Sequence, residues 1–214
     1  MDSAKPSVSV LVLTFNEELN IKHCLESVTE LSDDIIVVDS FSEDQTLDIV
    51  KLYTPKAYQH PFESWGAQVN WALDNLLIEG DWILRLDADE LLTPELREEL
   101  IETLPSLSED VSGLFCKRRV YFLGRWIRYG GYYPTWLLRI SRRGKVRYEY
   151  HLGEAEHAIV LEGTTQYLKH DIIDYNRKDL AFWTGKHEGY ATREVQSLRQ
   201  AQEQPQQRVE LVVS

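Results

Sequence analysis

Only two cysteines, Cys24 and Cys116, occur in 214 residues, which excludes a disulfide framework. With no export signal ahead of them, both read as reduced, half-buried thiols. Long apolar runs are also missing. The longest, at 8–13 and 35–38, are strand-sized and far short of a bilayer span. Met1 is followed by an acidic, polar start rather than a basic, apolar one, so a cytoplasmic location is expected. No Gly-x-x-x-x-Gly-Lys-Ser/Thr loop exists, and no Gly-x-Gly-x-x-Gly follows the first strand-like run, which excludes the P-loop and the dinucleotide fingerprint. No internal repeat is visible. What remains is 43% apolar and 27% charged, the composition of a soluble globular chain. The length suits one domain over 1–195 followed by a polar tail at 196–214, where six glutamines and Pro205 gather.

The net charge of -12 argues against nucleic-acid binding, but the charge is unevenly spread. Residues 1–110 carry 6 Lys or Arg against 24 Asp or Glu, whereas 111–214 carry 17 against 11. The stretch 117–148 holds ten basic side chains and no acidic one. It reads either as a solvated basic face or as a surface for an anionic substrate or anionic lipid headgroups.

The first half alternates strand-like and helix-like segments, the pattern of βαβ units and a mostly parallel sheet with helices on both faces. Residues 7–15 read as a buried strand, and Asn16 as the cap of a helix with apolar Ile21, Cys24, Leu25 and Val28. Residues 35–38 form a β-branched run that ends in Asp39, and the turn at 40–44, with Ser42 as a cap, opens a helix toward Tyr53. Val69, Ala72, Leu73 and Leu76 mark a third helix that Gly80 is expected to end. Trp82–Leu86 is then a strand reaching Asp87, and Thr93-Pro94 starts a further helix. After about residue 111 aromatic and basic segments with paired glycines predict an antiparallel or irregular half.

In open α/β sheets ligands sit beyond the carboxyl ends of the parallel strands. That rule selects Thr14, Asn16 and Glu17, then Asp39, Ser40 and Ser42, then Asp87-Ala88-Asp89. Asp39 ends a buried strand, where an unpartnered carboxylate is costly unless something binds it. Asp87 and Asp89, two apart on an extended segment, project to one side and can approach one hard cation, Mg²⁺ or Mn²⁺, while Ala88 leaves room for a ligand. Such a cation commonly completes its shell with substrate phosphate, which implies a nucleoside-diphosphate ligand.

The segments at 7–28, 35–46 and 81–96, in that order, resemble glycosyltransferase family 2, the inverting nucleotide-sugar transferases of GT-A fold. Within it, 117–148 and 167–194 look like the bacterial lipopolysaccharide-core β-1,4-glucosyltransferase-like branch. The resemblance implies that 1–110 is the nucleotide-sugar half and 111–195 the acceptor half of a single domain. It implies that Thr14, Asn16, Glu17, Asp39 and Ser40 hold the nucleoside of a UDP-linked donor, with Asp87 and Asp89 as the metal-diphosphate motif. Gly66 falls where family members approach the donor closely. The reaction needs a general base for the acceptor hydroxyl, and Glu154-Ala155-Glu156-His157 offers one, Glu156 by alignment, with Glu154 open because Ala155 departs from the usual pattern. The implied acceptor is a glycan or lipid-linked glycan of the cell envelope, reached from the inner membrane face, with Trp126 and Trp136 placed near it. Two other readings stay open: a GT-A-like binding module without catalysis, and an Asp-x-Asp phosphohydrolase with Asp87 as nucleophile. His151, Glu154 and His157 form a passable metal-ligand set, but no cysteine and no His-Glu-x-x-His helix supports a zinc site, and His170 and His187 have no visible partner.

Overall fold

A computed structural model describes residues 6–149 and 158–203. The first strand, β1 (Val8–Thr14), is buried along its whole length because it has a covered face on each side. Val10 and Val12 pack into one core with α1 (Ile21–Val28), while Leu11 and Leu13 point into a second core on the other face. The same parity holds in β2 (Asp34–Asp39), where Ile35 and Val37 face the first core and Ile36 and Val38 the second. Each fully buried aliphatic chain of this kind contributes about 1.5–3 kcal/mol. A short helix, α2 (Thr46–Val50), and a three-residue strand, β3 (Ala57–Gln59), follow. Next come α3 (Trp65–Asn75), capped by Ser64 Oγ accepting the Ala67 N–H, and β4 (Trp82–Asp87). Then β5 (Glu90–Leu92) leads to α4 (Pro94–Thr103), where Thr93 accepts the Leu96 N–H at 3.2 Å and Pro94 occupies the first turn as expected.

The second half supplies β6 (Val111–Phe122), β7 (Arg125–Trp126), β8 (Thr135–Arg142), β9 (Val146–Tyr148), β10 (Ala158–Val160), β11 (Thr164–Tyr175) and α5 (Leu180–Glu203). Strands run in the order β3-β2-β1-β4-β8-β6-β11-β5, with β7 on β6. The first four are parallel, β8 is antiparallel to β4 and β6, and β11 is parallel to β6 and antiparallel to β5. The two halves therefore share one sheet. Helices α1, α2 and α4 cover one face, and α3 covers the other beside the separate β9–β10 ladder.

Four expectations change in detail. β1 stops at Thr14 and Phe15 is 52% exposed, because Asn16 takes a positive φ of 53° and turns the chain. Asn16 does not cap α1; Asn20 holds that position, and the Asn16 Oδ1 instead accepts the Glu43 N–H at 2.8 Å. Gly80 does not end α3, which stops at the Leu76 cap; a side chain at 80 would overlap the backbone of Val8 and Ser9. Helix α5 continues through 196 to Glu203, so the expected tail boundary falls inside a helix, and 204–214 lie outside the described residues.

Candidate active site

The three parallel strands end level. Thr14 stands opposite Asp39 in the β1–β2 ladder, and Leu13 opposite Asp87 in the β1–β4 ladder, so Thr14, Asp39 and Asp87 share the carboxyl edge. The loops beyond are tied across one another. Ser42 Oγ accepts the Asn16 N–H at 2.7 Å, Thr46 Oγ1 accepts the Glu17 N–H at 2.7 Å, and the Ser40 N–H donates to the Thr14 carbonyl. Ser40 Oγ accepts from Gln68 Nε2 of α3. Thr14 Oγ1 is buried with no hydrogen-bond partner, a polar atom left over at the edge where a ligand belongs.

Asp39 is 0% exposed and already engaged. Its carboxylate accepts from the Ser42 N–H at 2.9 Å, from Ser42 Oγ and from Gln59 Nε2 at 3.0 Å. The cost of burying this charge is met inside the protein, so an N–H from a ligand would have to displace Gln59 or Ser42.

Asp87 and Asp89 are not an uncompensated pair. Arg85, two residues back on the same side of β4, grips Asp87 through both nitrogens at 3.0 and 2.9 Å. Arg139 of β8, 3% exposed, reaches Asp87 at 3.2 Å and the Glu90 carboxylate at 2.7 Å. Glu90 is 1% exposed and also accepts the Asp87 N–H, so it is a buried brace and no solvated turn acid. Burial, with the Asp87 charge beside it, pushes the Glu90 carboxyl well above its usual range. Asp89 accepts from Asn176 Nδ2 at 3.0 Å, with Lys186 Nζ 3.8 Å away. Glu17 accepts from Asn20 at 2.6 Å and from Lys178 Nζ at 2.7 Å, yet burial and the Asp89 charge raise its pKa. Asp174, at the end of β11 and 3.6 Å from Arg118, is pushed up to about 7 by burial and again by Asp89.

Asp89 thus raises two neighbouring carboxyls, the electrostatic mark of a place that favours added positive charge, and its donor set of hard oxygens suits Mg²⁺ or Mn²⁺. Among the described residues no group of three or more His, Cys, Asp or Glu converges as a metal cage. A cation here would lean on Asp89, with Asp87 beside it, and take its other ligands from water and phosphate. With both Asp87 oxygens held by guanidinium, that carboxylate is a poor nucleophile, which removes the basis of the phosphohydrolase reading.

Arg85, Glu90, Arg139, Asp174, Asn176, Lys178 and Lys186 escaped the reading of the chain. Arg85 did leave a signal: a cation inside an otherwise apolar strand, on the parity of Asp87. The pairings of Arg139 and of the 174–186 segment join residues too far apart in the chain for local pattern to reveal them.

The basic stretch is largely paired. Lys117 and Arg119 meet the buried Asp171, Arg118 meets Asp174, Arg143 lies 3.9 Å from Asp81, Lys145 meets Glu162, and Arg147 meets Asp74 at 2.6 Å. Arg142 donates to the Val111 and Ser108 carbonyls. Arg125 and Arg128 are exposed, Arg128 over the Trp126 ring. His170 pairs with Glu99 at 2.9 Å and His187 with the Trp183 carbonyl at 2.8 Å. Cys24 and Cys116 are fully buried free thiols, not half-buried ones, and burial raises both pKa values. A Cβ on Gly66 would overlap the Glu149 carbonyl, so the close approach there is by this chain's own backbone.

Glu154 and Glu156, with His151 and His157, lie outside the described residues. Their roots are described. Tyr148 pairs with Ala158, and Asn70 fixes Tyr148 by bonds to its carbonyl (2.7 Å) and N–H (3.1 Å). Tyr148 and Ala158 line a cavity of about 170 Å³ with Phe115, Trp136 and Arg139.

Comparison with known proteins fits this geometry. The sequence profile described as glycosyl transferase family 2 matches residues 9–160. The lipopolysaccharide core biosynthesis glycosyltransferase LpsC of Rhizobium meliloti is 34% identical over 170 residues, 74% of this chain and 59% of LpsC. An uncharacterized glycosyltransferase of Rickettsia typhi is 34% identical over 48% of this chain and 35% of its own. The chain thus spans about a third to three fifths of these relatives. Among solved structures, TarS of S. aureus in complex with UDP-GlcNAc superposes with a TM-score of 0.58 at 22% identity, over 82% of this chain and 60% of TarS. That likeness shows the fold, which is of the GT-A type. No helix among the described residues is long and apolar enough to cross a membrane.

Proposed function

This chain belongs to glycosyl transferase family 2, and on that footing we propose that it transfers a sugar, with inversion, from a UDP-linked donor to a glycan or lipid-linked acceptor of the cell envelope. The observation that carries the reading is the level ending of β1, β2 and β4, which puts Thr14, Asp39 and Asp87 on one edge with Asp89 beyond them. The relatives' names support it: LpsC for envelope polysaccharide, TarS for a UDP-sugar donor.

On this reading Thr14, with its unused hydroxyl, and the loop residues Asn16, Glu17 and Ser40 line the nucleoside site. Asp39 shapes its floor and contacts the base when Gln59 or Ser42 yields. Asp89, with Asp87 alongside, would hold Mg²⁺ or Mn²⁺, whose charge stabilises the departing diphosphate. Arg85, Arg139 and Glu90 keep the Asp87 carboxylate at a fixed angle. Glu156 takes the proton of the acceptor hydroxyl as its oxygen attacks the anomeric carbon from the side opposite the diphosphate; Glu154 is the alternative base. The β9–β10 ladder pairs the two strands that flank the segment carrying them, Asn70 fixes Tyr148, and the cavity that Tyr148 and Ala158 line includes Arg139, which also reaches Asp87. The single domain divides functionally into a donor half, 1–110, and an acceptor half, 111–195. Exposed Leu123, Arg125, Arg128 and Tyr129 supply the cationic and apolar groups for peripheral contact with an anionic membrane at its cytoplasmic face.

Calorimetric titration with UDP-sugars and Mn²⁺, followed by a search for UDP release on adding envelope glycans, tests the reading. Saturable binding that needs the metal, and turnover with acceptor, are expected. Binding without any turnover would favour a non-catalytic module, and no binding of any nucleotide-sugar would end the proposal.

A further inference from the structure

The segment after β11 crosses the donor site. Asn176 Nδ2 donates to Asp89, the Arg177 N–H donates to Asn20 Oδ1, Lys178 Nζ donates to Glu17, and Lys186, two turns into α5, stands over Asp89. The Lys178 and Glu17 side chains are 11% and 12% exposed, so their pair is shielded from solvent. Lys186 is more open and its charge acts on Asp174 as well as on Asp89. Around the site Glu17, Asp87, Asp89, Glu90 and Asp174 face Arg85, Arg118, Arg139, Lys178 and Lys186. Among these ten groups the carboxyls do not outnumber the cations.

That balance is informative. A dication entering alone adds two positive charges that no surplus of acid offsets, and it meets a lysine already on the carboxylate it needs. A dication arriving with the donor's diphosphate, which carries two negative charges as a sugar diester, adds no net charge, and the displaced lysine has phosphate oxygens to turn to. The arginines cannot make this exchange: Arg85 and Arg139 are buried and fixed on Asp87 and Glu90. The lysines can, because each ends in a compact ammonium on a long flexible stem, Lys178 resting over the Phe182 ring beside its pair with Glu17.

We propose that Lys178 and Lys186 are diphosphate-binding residues that occupy the cation's side of Glu17 and Asp89 until the donor arrives, and then turn to its phosphates. The inference rests on the donor reading above and adds residues and a sequence of events to it. Divalent metal and diphosphate then bind cooperatively, and weakly one without the other.

The test uses Lys186→Met and Lys178→Met in the full chain, with Mn²⁺ alone, UDP with Mn²⁺, and uridine as the probes. Removing Lys186 should tighten Mn²⁺ alone by about two- to fivefold, since a competing ion pair is gone. It should weaken UDP with Mn²⁺ by about 10- to 100-fold, the worth of a charged hydrogen bond, and leave uridine unchanged. Lys178→Met should weaken UDP with Mn²⁺ in the same way, with a smaller effect on Mn²⁺ alone. A purely structural role would weaken both ligands together and lower the melting temperature, and that result, or unchanged affinities in both variants, overturns the inference. If the unaltered protein binds neither UDP nor Mn²⁺, the donor reading itself has failed.

Discussion

The two edges of the same sheet treat their carboxylates in opposite ways. At the amino edge Asp34 opens β2, where partial burial pushes its pKa up, but Lys56, Ser9 and the Glu79 N–H outweigh that and hold it below the ordinary range. Every neighbour there is a donor, and Lys56 bridges Asp34 and Glu79 at 2.6 Å each. At the carboxyl edge Glu17, Glu90 and Asp174 all lie above their ordinary range, burial first and a neighbouring carboxylate second. A basic residue set beside an acid satisfies it fully, as the amino edge shows. Acids crowded against one another at the other end mark the edge that serves a ligand rather than the fold.

The contrast breaks first at Asp89. Asp89→Ala, or EDTA on the unaltered protein, should leave no detectable turnover while the melting temperature holds within a few degrees, because the change removes a repelling charge and no core volume. Stability lost in proportion to activity would make Asp89 a structural acid like Asp34. Next in size is Glu156→Gln, which asks whether the carboxyl edge needs the segment at 150–157. Turnover should drop ~10² to 10⁴-fold with donor affinity nearly constant. Glu154→Gln is the control: if it is the dead variant the base is misassigned, and if both variants stay active the segment supplies none.

The reverse pattern is expected at the other edge. Asp34→Ala leaves Ser9, Lys56 and the Glu79 N–H without their acceptor and should cost about 1–3 kcal/mol in denaturant unfolding, with kcat and donor affinity unchanged. Loss of donor binding in that variant would dissolve the distinction between the edges.

The remaining effect is in pH. Asp174 binds its proton more tightly when folded, at about 7 against an ordinary 3.8, so protonation stabilises the fold. That contribution is complete below about pH 4 and is lost as pH rises through about 7. Asp34 has the opposite sign: its contribution stands above the ordinary carboxylate range and disappears on acidification below about pH 4. In metal-free buffer Asp174→Asn should therefore flatten the fall in melting temperature between about pH 5 and 8, and Asp34→Ala should leave it as it is. An unchanged slope in Asp174→Asn would place the titration elsewhere.

The parts legible in the chain were those governed by local pattern. Doubly buried strands are mostly apolar, so Asp39 and Asp87 stood out as acids at the ends of such runs. Thr93-Pro94 announced α4 because cap chemistry is local. The misread positions answer to distant atoms. Gly80 is small because β1 runs beside it, Gly66 because Glu149 crosses it, and Asn16 bonds across to Glu43 instead of capping its own helix. Arg139, one of ten cations in a stretch that looked like an outward face, is among the most deeply buried charges in the protein.

The pairing of β5 with β11 also sets a timetable for synthesis. Glu90, Leu91 and Leu92 leave the ribosome early, yet their ladder partners are Asp174, Ile173 and Ile172, about eighty residues later. At ~5–20 residues per second that interval lasts about 4 to 16 s. For about the first fifty of those residues the Arg139 brace for Glu90 and the free side of β4 also wait, since both depend on β8. A nascent chain can thus close the β3-β2-β1-β4 layer at once but cannot assemble its acidic centre until β11 emerges. During those seconds an unpaired strand edge stays open to wrong partners, so slow codons placed between 110 and 164 should lower soluble yield more than the same codons placed after 175.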